Sequence, residues 1–322
     1  MSYKNIKIYV FCIIFVRNFD IGGMLNRRIL RIKAFKAVYS IAENVSIPGR
    51  EILSQLDRSC EATRSLYLFI MALIPALASE AHARLEAARS KFNPTEEERN
   101  PNMRFVNNSV AHSLAEDPDF CKILARRKIS WEQYDAFLFN LYACVRERDY
   151  FKKYMGLPEA GRREDAAIWA DILASELPQN RELEQILEDL DIWWNDDLEY
   201  AVNCCIATLD RMGEGAVWEL PELYRGCGGV SDSKFAAGIV HKACSGFPKY
   251  WEKIAEAATK WDRDRICATD LALIVCGLAE KAAFPDTPSK VIINEYVEIS
   301  KFYSTPESRG FVNGLLDKLI DN

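Results

Sequence analysis

The sequence has little of what an enzyme or a metal site needs. It contains only three histidines among 322 residues, and His82, His112 and His241 lie far apart without a recognisable motif around any of them. The ten cysteines include no Cys-x-x-Cys pair and no Cys/His cluster with metal spacing, so we expect no zinc. Scattered thiols are typical of small buried side chains in a reducing compartment. These absences favour a binding protein over an enzyme, with no metal and no cofactor.

Phosphate-binding loops and membrane-spanning runs are also missing. The sequence contains neither a Gly-x-Gly-x-x-Gly nor a Gly-x-x-x-x-Gly-Lys motif. Its only membrane-like run, residues 8–16, has less than half of the roughly 20 residues that a helical span needs, so we expect no membrane association. We expect residues 1–23 to be an upstream extension outside the fold, followed by Met24. A targeting segment is the alternative, because Lys4 and Lys7 precede the apolar run.

The net charge of −6 argues against a protein that coats nucleic acid without specificity. One segment is nevertheless basic, because no acidic residue occurs between Met24 and Ala42. Its positive side chains are Arg27, Arg28, Arg31, Lys33 and Lys36.

This basic segment has the pattern of an amphipathic helix. Its three arginines would lie within about one turn, and Ile32, Phe35 and Tyr39 would form an apolar stripe at three- and four-residue spacing. Cations at a helix N-terminus oppose the helix dipole. One interpretation is that this end binds an anionic partner such as phosphate. The other is that a core helix exposes a solvated basic face.

Helical spacing also dominates the rest of the chain. Apolar residues recur at three- and four-residue steps, and the alternating β-branched runs typical of sheets are absent from the sequence. We therefore predict an all-α fold, a helical bundle. The helices predicted before the main break cover residues 61–90, 131–155, 164–175, 180–191 and 195–212, and four more follow it.

Glycine and proline mark that break. Gly213, Gly215, Pro221 and the Gly-Cys-Gly-Gly run at 226–229 predict a linker. We expect an N-terminal helical region at 24–212, a Gly-rich linker at 213–230 and a C-terminal helical domain at 231–322. Thr-Pro pairs at 287–288 and 305–306 predict the starts of the last two helices, each with threonine as the N-cap.

Three segments resemble the NusB transcription antitermination family. Residues 27–39 are similar to its Arg-rich opening helix, and residues 261–280 and 288–318 match its later motifs, the last of them in residue type, order and spacing. The dense match covers about residues 230–320, so the chain resembles a long variant with a large helical insertion or extension. The matching residues include Trp261, Asp262, Arg265, Asp270, Gly277, Glu280, Asn294, Glu295, Phe311, Asn313, Gly314, Asp317 and Lys318.

The resemblance implies a cytoplasmic, non-enzymatic, all-α protein. Family members bind boxA-type single-stranded RNA together with NusE, a small-subunit ribosomal protein, in the antitermination complex of RNA polymerase. By motif position, Asp270 would lie near the RNA and partner surface. The resemblance places the RNA contacts on the first helix and on the final turn and helix, at Arg27, Arg28, Arg31, Tyr39, Glu307 and Phe311. Arginine would pair with phosphate, and the two aromatic rings would stack on bases.

Two departures from the family pattern keep alternatives open. Leu271 and Val275 stand where the family often carries Arg or Lys, which favours a scaffold that kept the fold and lost RNA binding. An RNA-modifying enzyme with a NusB-like domain is a second alternative, but it would need a Gly-rich cofactor loop, which the sequence lacks. We also expect Gly314 to permit close helix packing. RNA binding depends on the basic helix and the C-terminal helix pair sharing one surface.

Overall fold

The computed structural model describes residues 23–194, 196–224, 232–258 and 266–321. Every regular element within these ranges is a helix, which confirms the predicted all-α fold. The elements are α1 (Arg27–Glu43), α2 (Gly49–Arg89), α3 (Glu96–Arg99), α4 (Ser109–Glu116), α5 (Pro118–Arg127), α6 (Asp135–Glu147), α7 (Asp149–Met155), α8 (Arg162–Glu176), α9 (Arg181–Leu190), a 3-10 turn (Ile192–Trp194), α10 (Leu198–Gly213), α11 (Asp232–Ala257), α12 (Ala268–Ala283), α13 (Ser289–Tyr303) and α14 (Ser308–Leu319).

The chain forms two compact units. The insert unit contains Ala62–Pro221, and the terminal unit combines Gly22–Glu61 with Glu222–Asn322. The backbone N–H groups of Met24 and Leu25 donate to the carbonyls of Glu222 and Leu223, at 2.7 and 3.0 Å, so the two segments of the terminal unit meet directly.

This grouping differs from the predicted division at residues 213–230. The basic helix α1 belongs with α11 to α14, because it packs against α11 and α12, and not with the residues that follow it in sequence. Residues 1–22 of the predicted extension at 1–23, and residues 225–230 of the predicted linker, lie outside the described residues. So do Trp261, Asp262 and Arg265, and the helix predicted from Asp262 is described from Ala268.

The buried face of α1 is not the predicted one. Leu30, Ala34, Val38 and Ile41 are at most 4% exposed and follow helical spacing. In the predicted stripe only Phe35 is buried; Ile32 is half-buried and Tyr39 is 38% exposed. The helix begins at Asn26, whose side chain accepts from the N–H of Ile29 at 3.0 Å. The basic helix is therefore a core helix of the terminal unit with Tyr39 at its surface.

Close helix packing in the terminal unit occurs at Gly277. A Cβ atom there would lie 2.6 Å from Cδ2 of Leu316, closer than real Cβ contacts allow, so a larger residue would force the buried Leu316 side chain of α14 to move. Gly314 was predicted to have this role, but a Cβ there would meet nothing within 4 Å. That prediction was wrong, because Gly314 faces open space.

The insert unit is built around the C-terminal part of α2. Phe69 stacks on Trp131 with ring centroids 4.1 Å apart, and the Tyr67 hydroxyl accepts from Nε1 of Trp218 at 3.1 Å. By length and composition, α2 is the one described helix that could cross a membrane. However, 61% of its apolar window is buried inside the protein, so packing in the fold accounts for that composition.

Candidate nucleic-acid interface

The three arginines of α1 are paired with acids from three different C-terminal helices. Nε of Arg27 lies 3.4 Å from Oδ1 of Asp232 on α11. Arg28 binds both carboxylate oxygens of Glu295 on α13, at 2.8 and 3.1 Å. Such two-point pairs are the strong form of the arginine–carboxylate interaction. The paired residues are more than 200 positions apart in sequence, so these ion pairs link α1 to the C-terminal helices of the terminal unit.

Arg31 is the most deeply placed of the three. Its guanidinium donates to both oxygens of Glu280 on α12, at 2.7 and 2.9 Å, and to Glu295 at 3.4 Å. Burial alone would lower the pKa of Arg31, but the hydrogen bonds and charge of Glu280 outweigh it and raise that pKa. Its side chain is 6% exposed, compared with 18% for Arg28 and 50% for Arg27. In this arrangement only Arg27 presents a large part of its side chain to a ligand.

The opposite end of α1 meets the end of α13. The Phe35 and Tyr303 rings lie 5.2 Å apart, and Nζ of Lys36 lies 5.8 Å from the centre of the Tyr303 ring. Tyr39, one turn further along α1, is exposed; a hydrogen bond to Glu43 and that residue's charge raise the pKa of Tyr39. The Phe35 and Tyr303 rings and Lys36 therefore lie together at this end of the terminal unit, and we call this region, with exposed Tyr39, the α1–α13 surface.

Asp270, predicted to lie near the RNA and partner surface, is buried. It is 5% exposed, and Oγ of Ser304 donates to its Oδ1 at 2.5 Å. Ser304 is the first residue after α13, so the bond fixes the turn between α13 and α14 to the start of α12. The N–H of Ser308 donates to Oγ1 of Thr305 within this turn, at 3.4 Å. The N-cap positions of α13 and α14 are Pro288 and Glu307, neither with a side-chain cap bond, so the predicted threonine N-caps were wrong. The position predicted for a partner contact instead orients the final turn.

The two remaining predicted RNA contacts, both after this turn, differ in exposure. Glu307 is exposed at the start of α14, whereas Phe311 is 9% exposed and belongs to the core. Asn294, Asn313 and Gly314 from the matching motifs are exposed on α13 and α14. The structure thus joins α1 to the C-terminal helix pair within one unit. It leaves Arg27, Tyr39 and Glu307 open, Arg28 half-buried, and Arg31 and Phe311 buried.

Tyr303 was missed as a member of this surface. Its signal in the sequence is its position just before the Thr-Pro turn, where the end of a helix is brought beside the turn residues. Leu271 and Val275, which replace basic residues common in the family, are 7% and 0% exposed. In this chain both positions lie in the core of α12.

Charge is distributed unequally between the two units. The insert unit, residues 62–221, has 18 basic and 28 acidic side chains, a net charge of −10. Residues 22–61 and 222–322 together have 20 basic and 18 acidic side chains, a net charge of +2. The acidic total of the chain therefore comes from the insert unit, and the terminal unit can attract an anion.

Comparison with known proteins gives a match confined to the terminal unit. Residues 230–321 match the model of the NusB family. The protein named transcription antitermination protein NusB from Syntrophotalea carbinolica is 38% identical over 86 residues, 27% of this chain and 55% of the relative. Its namesake from Natranaerobius thermophilus is 35% identical over 83 residues, 26% of this chain and 60% of the relative.

A third relative of the same name, from Methylacidiphilum infernorum, is 44% identical over 69 residues, 21% of this chain and 48% of that protein. The chain therefore spans about half the length of the curated relatives it matches. No solved structure matches it. Residues 230–321 form a NusB-family domain, and the chain combines this domain with a large helical region that the match does not cover.

Proposed function

We propose that the chain is a transcription antitermination factor that binds boxA-type single-stranded RNA in the cytoplasm together with NusE, a ribosomal protein, as part of an RNA polymerase antitermination complex. It acts by binding and not by catalysis. The observation that carries the proposal is the surface where α1 meets α13. There Lys36 lies 5.8 Å from the centre of the Tyr303 ring, just before the turn that leads to Glu307, and Tyr39 is exposed one helical turn from Phe35, on a unit of net charge +2.

Each open residue has a role that its chemistry permits. Tyr39 stacks on an unpaired base, as exposed aromatic rings do in single-strand binding. Lys36 and Arg27 neutralise phosphates, and the half-buried Arg28 adds positive charge beside them. Glu307 accepts from a base edge or a partner. Asp270 acts indirectly, through the turn.

Arg31 and Phe311 have a supporting role in this proposal. The guanidinium of Arg31 is held by Glu280 and Glu295, and the Phe311 ring is packed in the core. Both side chains therefore fix the positions of helices that carry the RNA contacts, and neither has the open surface that a direct contact requires.

Removal of the Tyr39 ring tests the stacking contact. We expect Tyr39→Ala to weaken boxA-type RNA binding by about 5- to 150-fold, which corresponds to about 1–3 kcal/mol for one stacked base. Tyr39→Phe is the matched control, because it keeps the ring and removes only the hydroxyl that bonds Glu43. Fluorescence anisotropy of labelled RNA with the full chain, with and without NusE, measures both. Equal affinity of the alanine and phenylalanine variants would rule out stacking by Tyr39.

The salt dependence of RNA affinity counts the phosphates that are neutralised. If two or three are contacted, log affinity falls against log salt with a slope of roughly −1.4 to −2.1 for a single strand. Lys36→Gln is expected to flatten the slope by about 0.7. Lys290→Gln is the matched control, because this lysine is exposed at the opposite end of α13 from Tyr303. A slope that neither variant changes would contradict the phosphate role of Lys36.

A scaffold without RNA binding is the second candidate. The internal pairing of all three arginines and the burial of Leu271 and Val275 favour it. This candidate predicts equal binding of boxA-type and scrambled RNA, with or without NusE. The antitermination proposal requires tighter binding of the boxA-type sequence, so one titration separates the two.

A further inference from the structure

Helix α6 of the insert unit has no charged residue on either face between its two ends. Its inner face is buried and consists of Phe137, Leu138, Leu141, Tyr142 and Val145. Its outer residues between the two charged ends are also uncharged, although they are exposed to solvent. These residues, which we call the α6 face, are Ala136, Phe139, Asn140, Ala143 and Cys144.

An uncharged exposed face of this kind is unusual for a helix at a protein surface. Surface helices normally carry charged and polar residues opposite their apolar stripe. Helix α9 of the same unit follows that rule: it buries Leu183 and Leu187 and exposes Glu182, Glu184, Glu188 and Asp189. The α6 face therefore has the composition of a covered surface, yet its residues are exposed among those that the structure describes.

Phe139 is the centre of the α6 face and is held in place. Its side chain is 54% exposed. The guanidinium carbon of Arg84 lies 3.4 Å from the ring centre, and Nη2 of Arg84 donates to the Phe139 carbonyl at 2.8 Å. Nε of Arg84 donates to Glu80 at 2.8 Å, which fixes the arginine. A ring supported in this way loses little conformational freedom when a partner covers it.

The spacing of the α6 face fits another helix. Ala136, Phe139 and Ala143 follow one another at three- and four-residue steps, so they lie along one side of α6. The two alanines permit a close approach on either side of the phenyl ring, which can fit between side chains of the partner. An extended strand would find no open backbone to pair with here, because the N–H and C=O groups of a helix interior are already bonded.

The charges around the α6 face indicate whether its partner is acidic or basic. Asp135 and Glu147 are exposed at the two ends of the helix, and Nδ2 of Asn140 donates to exposed Glu182 of α9 at 3.5 Å. Arg84 is paired with Glu80, and Arg148, which donates to Sγ of Cys144, is paired with Glu176; Arg146 is exposed beside Glu147. The insert unit as a whole has a net charge of −10. A second copy of the chain would be repelled by this charge, whereas a basic segment would be attracted.

We propose that the α6 face binds an amphipathic helix of a partner protein, with apolar residues that cover Phe139 and basic residues that flank them. This site lies in the part of the chain outside the family match, and it is independent of the RNA surface of the terminal unit. Binding of a helix into an apolar surface with charged edges is a recurring mode of peptide recognition.

A pair of designed peptides tests the proposal with the full-length chain. One is an amphipathic helix of leucine and alanine flanked by lysine, and the other has glutamate in place of every lysine. We expect the lysine peptide to bind and the glutamate peptide not to bind, as measured by fluorescence anisotropy. Phe139→Ser is expected to weaken the lysine peptide by about tenfold or more, as for removal of a central aromatic anchor. Phe92→Ser is the matched control, because Phe92 is 99% exposed and lies outside the α6 face.

A second variant separates docking from simple attraction of charge. Ala143→Glu makes the insert unit more acidic, so non-specific attraction predicts tighter binding of the lysine peptide. Docking predicts weaker binding, because the carboxylate would lie within the apolar contact. Circular dichroism confirms that these surface variants stay folded. Absence of lysine-peptide binding, equal losses for Phe139→Ser and Phe92→Ser, or tighter binding by Ala143→Glu would each overturn the proposal, as would self-association of the chain through this face in sedimentation.

Discussion

Replacement of Arg31 by alanine is expected to lower the free energy of unfolding of the terminal unit by about 3–5 kcal/mol, because it removes one partner of a buried ion pair. Glu280 is 0% exposed and would keep its negative charge without the guanidinium hydrogen bonds that satisfy both of its oxygens. Its other partner, the Tyr296 hydroxyl at 2.9 Å, is neutral and cannot replace the lost charge. Hydrogen exchange followed by mass spectrometry on peptides from α1, α12 and α13 measures the loss where it occurs.

Arg27→Ala is the control for this prediction. Arg27 is half exposed, lies 3.4 Å from Asp232 and has its guanidinium carbon 4.7 Å from the centre of the Phe235 ring, so its removal is expected to cost about 1–2 kcal/mol. Arg31→Lys is expected to lose less than the alanine variant, because lysine keeps the positive charge opposite Glu280 but cannot bind both of its oxygens in the same geometry. A loss below 1 kcal/mol for Arg31→Ala would show that Glu280 finds water or another partner.

Joint replacement of Arg31, Glu280 and Tyr296 tests whether the terminal unit needs these buried charges for stability, or only needs each buried charge to have a partner. In Arg31→Met, Glu280→Leu, Tyr296→Phe, no buried charge or hydroxyl remains without a partner. Such apolar replacements of buried ion pairs are often neutral or stabilising. We expect the triple variant to unfold near the wild-type denaturant concentration. RNA binding by this variant then tests whether Arg31 acts only through the fold.

The sequence predicted the class of the fold well because helical spacing is a local property. The all-α fold and the long helices that became α2, α8, α9 and α10 follow from apolar residues at three- and four-residue steps. The buried face of α1 was harder to predict, because apolar residues occur on two sides of that helix. Spacing alone could not decide between the stripe through Phe35 and Tyr39 and the stripe through Ala34 and Val38.

The partners of the arginines could not be predicted from local pattern. A guanidinium that binds phosphate and one that binds a carboxylate look identical in a sequence. Arg31 and Glu280 are separated by 249 residues. One signal was nevertheless present: Glu280 follows the apolar run from Leu271 to Ala279, and an acid at the end of such a run needs a buried partner. That signal predicts a cation opposite it, but not which cation.

The grouping of α1 with the last four helices was hidden for a related reason. Breaks in composition mark where the chain turns, and the strongest break falls near residue 213. Breaks in composition do not show that a long segment is inserted within a unit whose two parts lie before and after it in sequence. The insert begins inside α2, between Glu61 and Ala62, where no glycine or proline interrupts the helix. Only the packing of α1 against α11 and α12 reveals it.

The second large effect is expected in the insert unit, at Asn108. This residue is 0% exposed and uses both ends of its side-chain amide. Its Oδ1 accepts from Nε1 of Trp169 at 2.9 Å and from the N–H groups of Val110 and Ala111, which caps α4. Its Nδ2 donates to the Tyr154 hydroxyl at 3.1 Å. One asparagine therefore joins a helix start to the aromatic core.

Asn108→Ala is expected to destabilise the insert unit by at least about 3 kcal/mol. The buried N–H of Trp169 loses its acceptor, which costs about 1–3 kcal/mol, and loss of the cap costs about 1 kcal/mol more. The variant also removes the two bonds that Nδ2 of Asn108 donates, to the Tyr154 hydroxyl at 3.1 Å and to the Asp165 carbonyl at 3.0 Å. Urea titration followed by tryptophan fluorescence measures the effect, because five of the seven tryptophans lie in residues 62–221.

Asn180→Ala separates the cap from the network. Asn180 caps α9 in the same way, accepting from the N–H of Leu183 at 3.1 Å, but it is half-buried and bonds no aromatic group. Its replacement is expected to cost about 1 kcal/mol. Asn108→Asp keeps the acceptors and removes the donors, and it places a second carboxylate beside Asp165, so we expect a loss close to that of alanine. If Asn108→Ala costs no more than Asn180→Ala, the asparagine acts as a cap alone, and the packing of Trp169 and Tyr154 stabilises the unit without it.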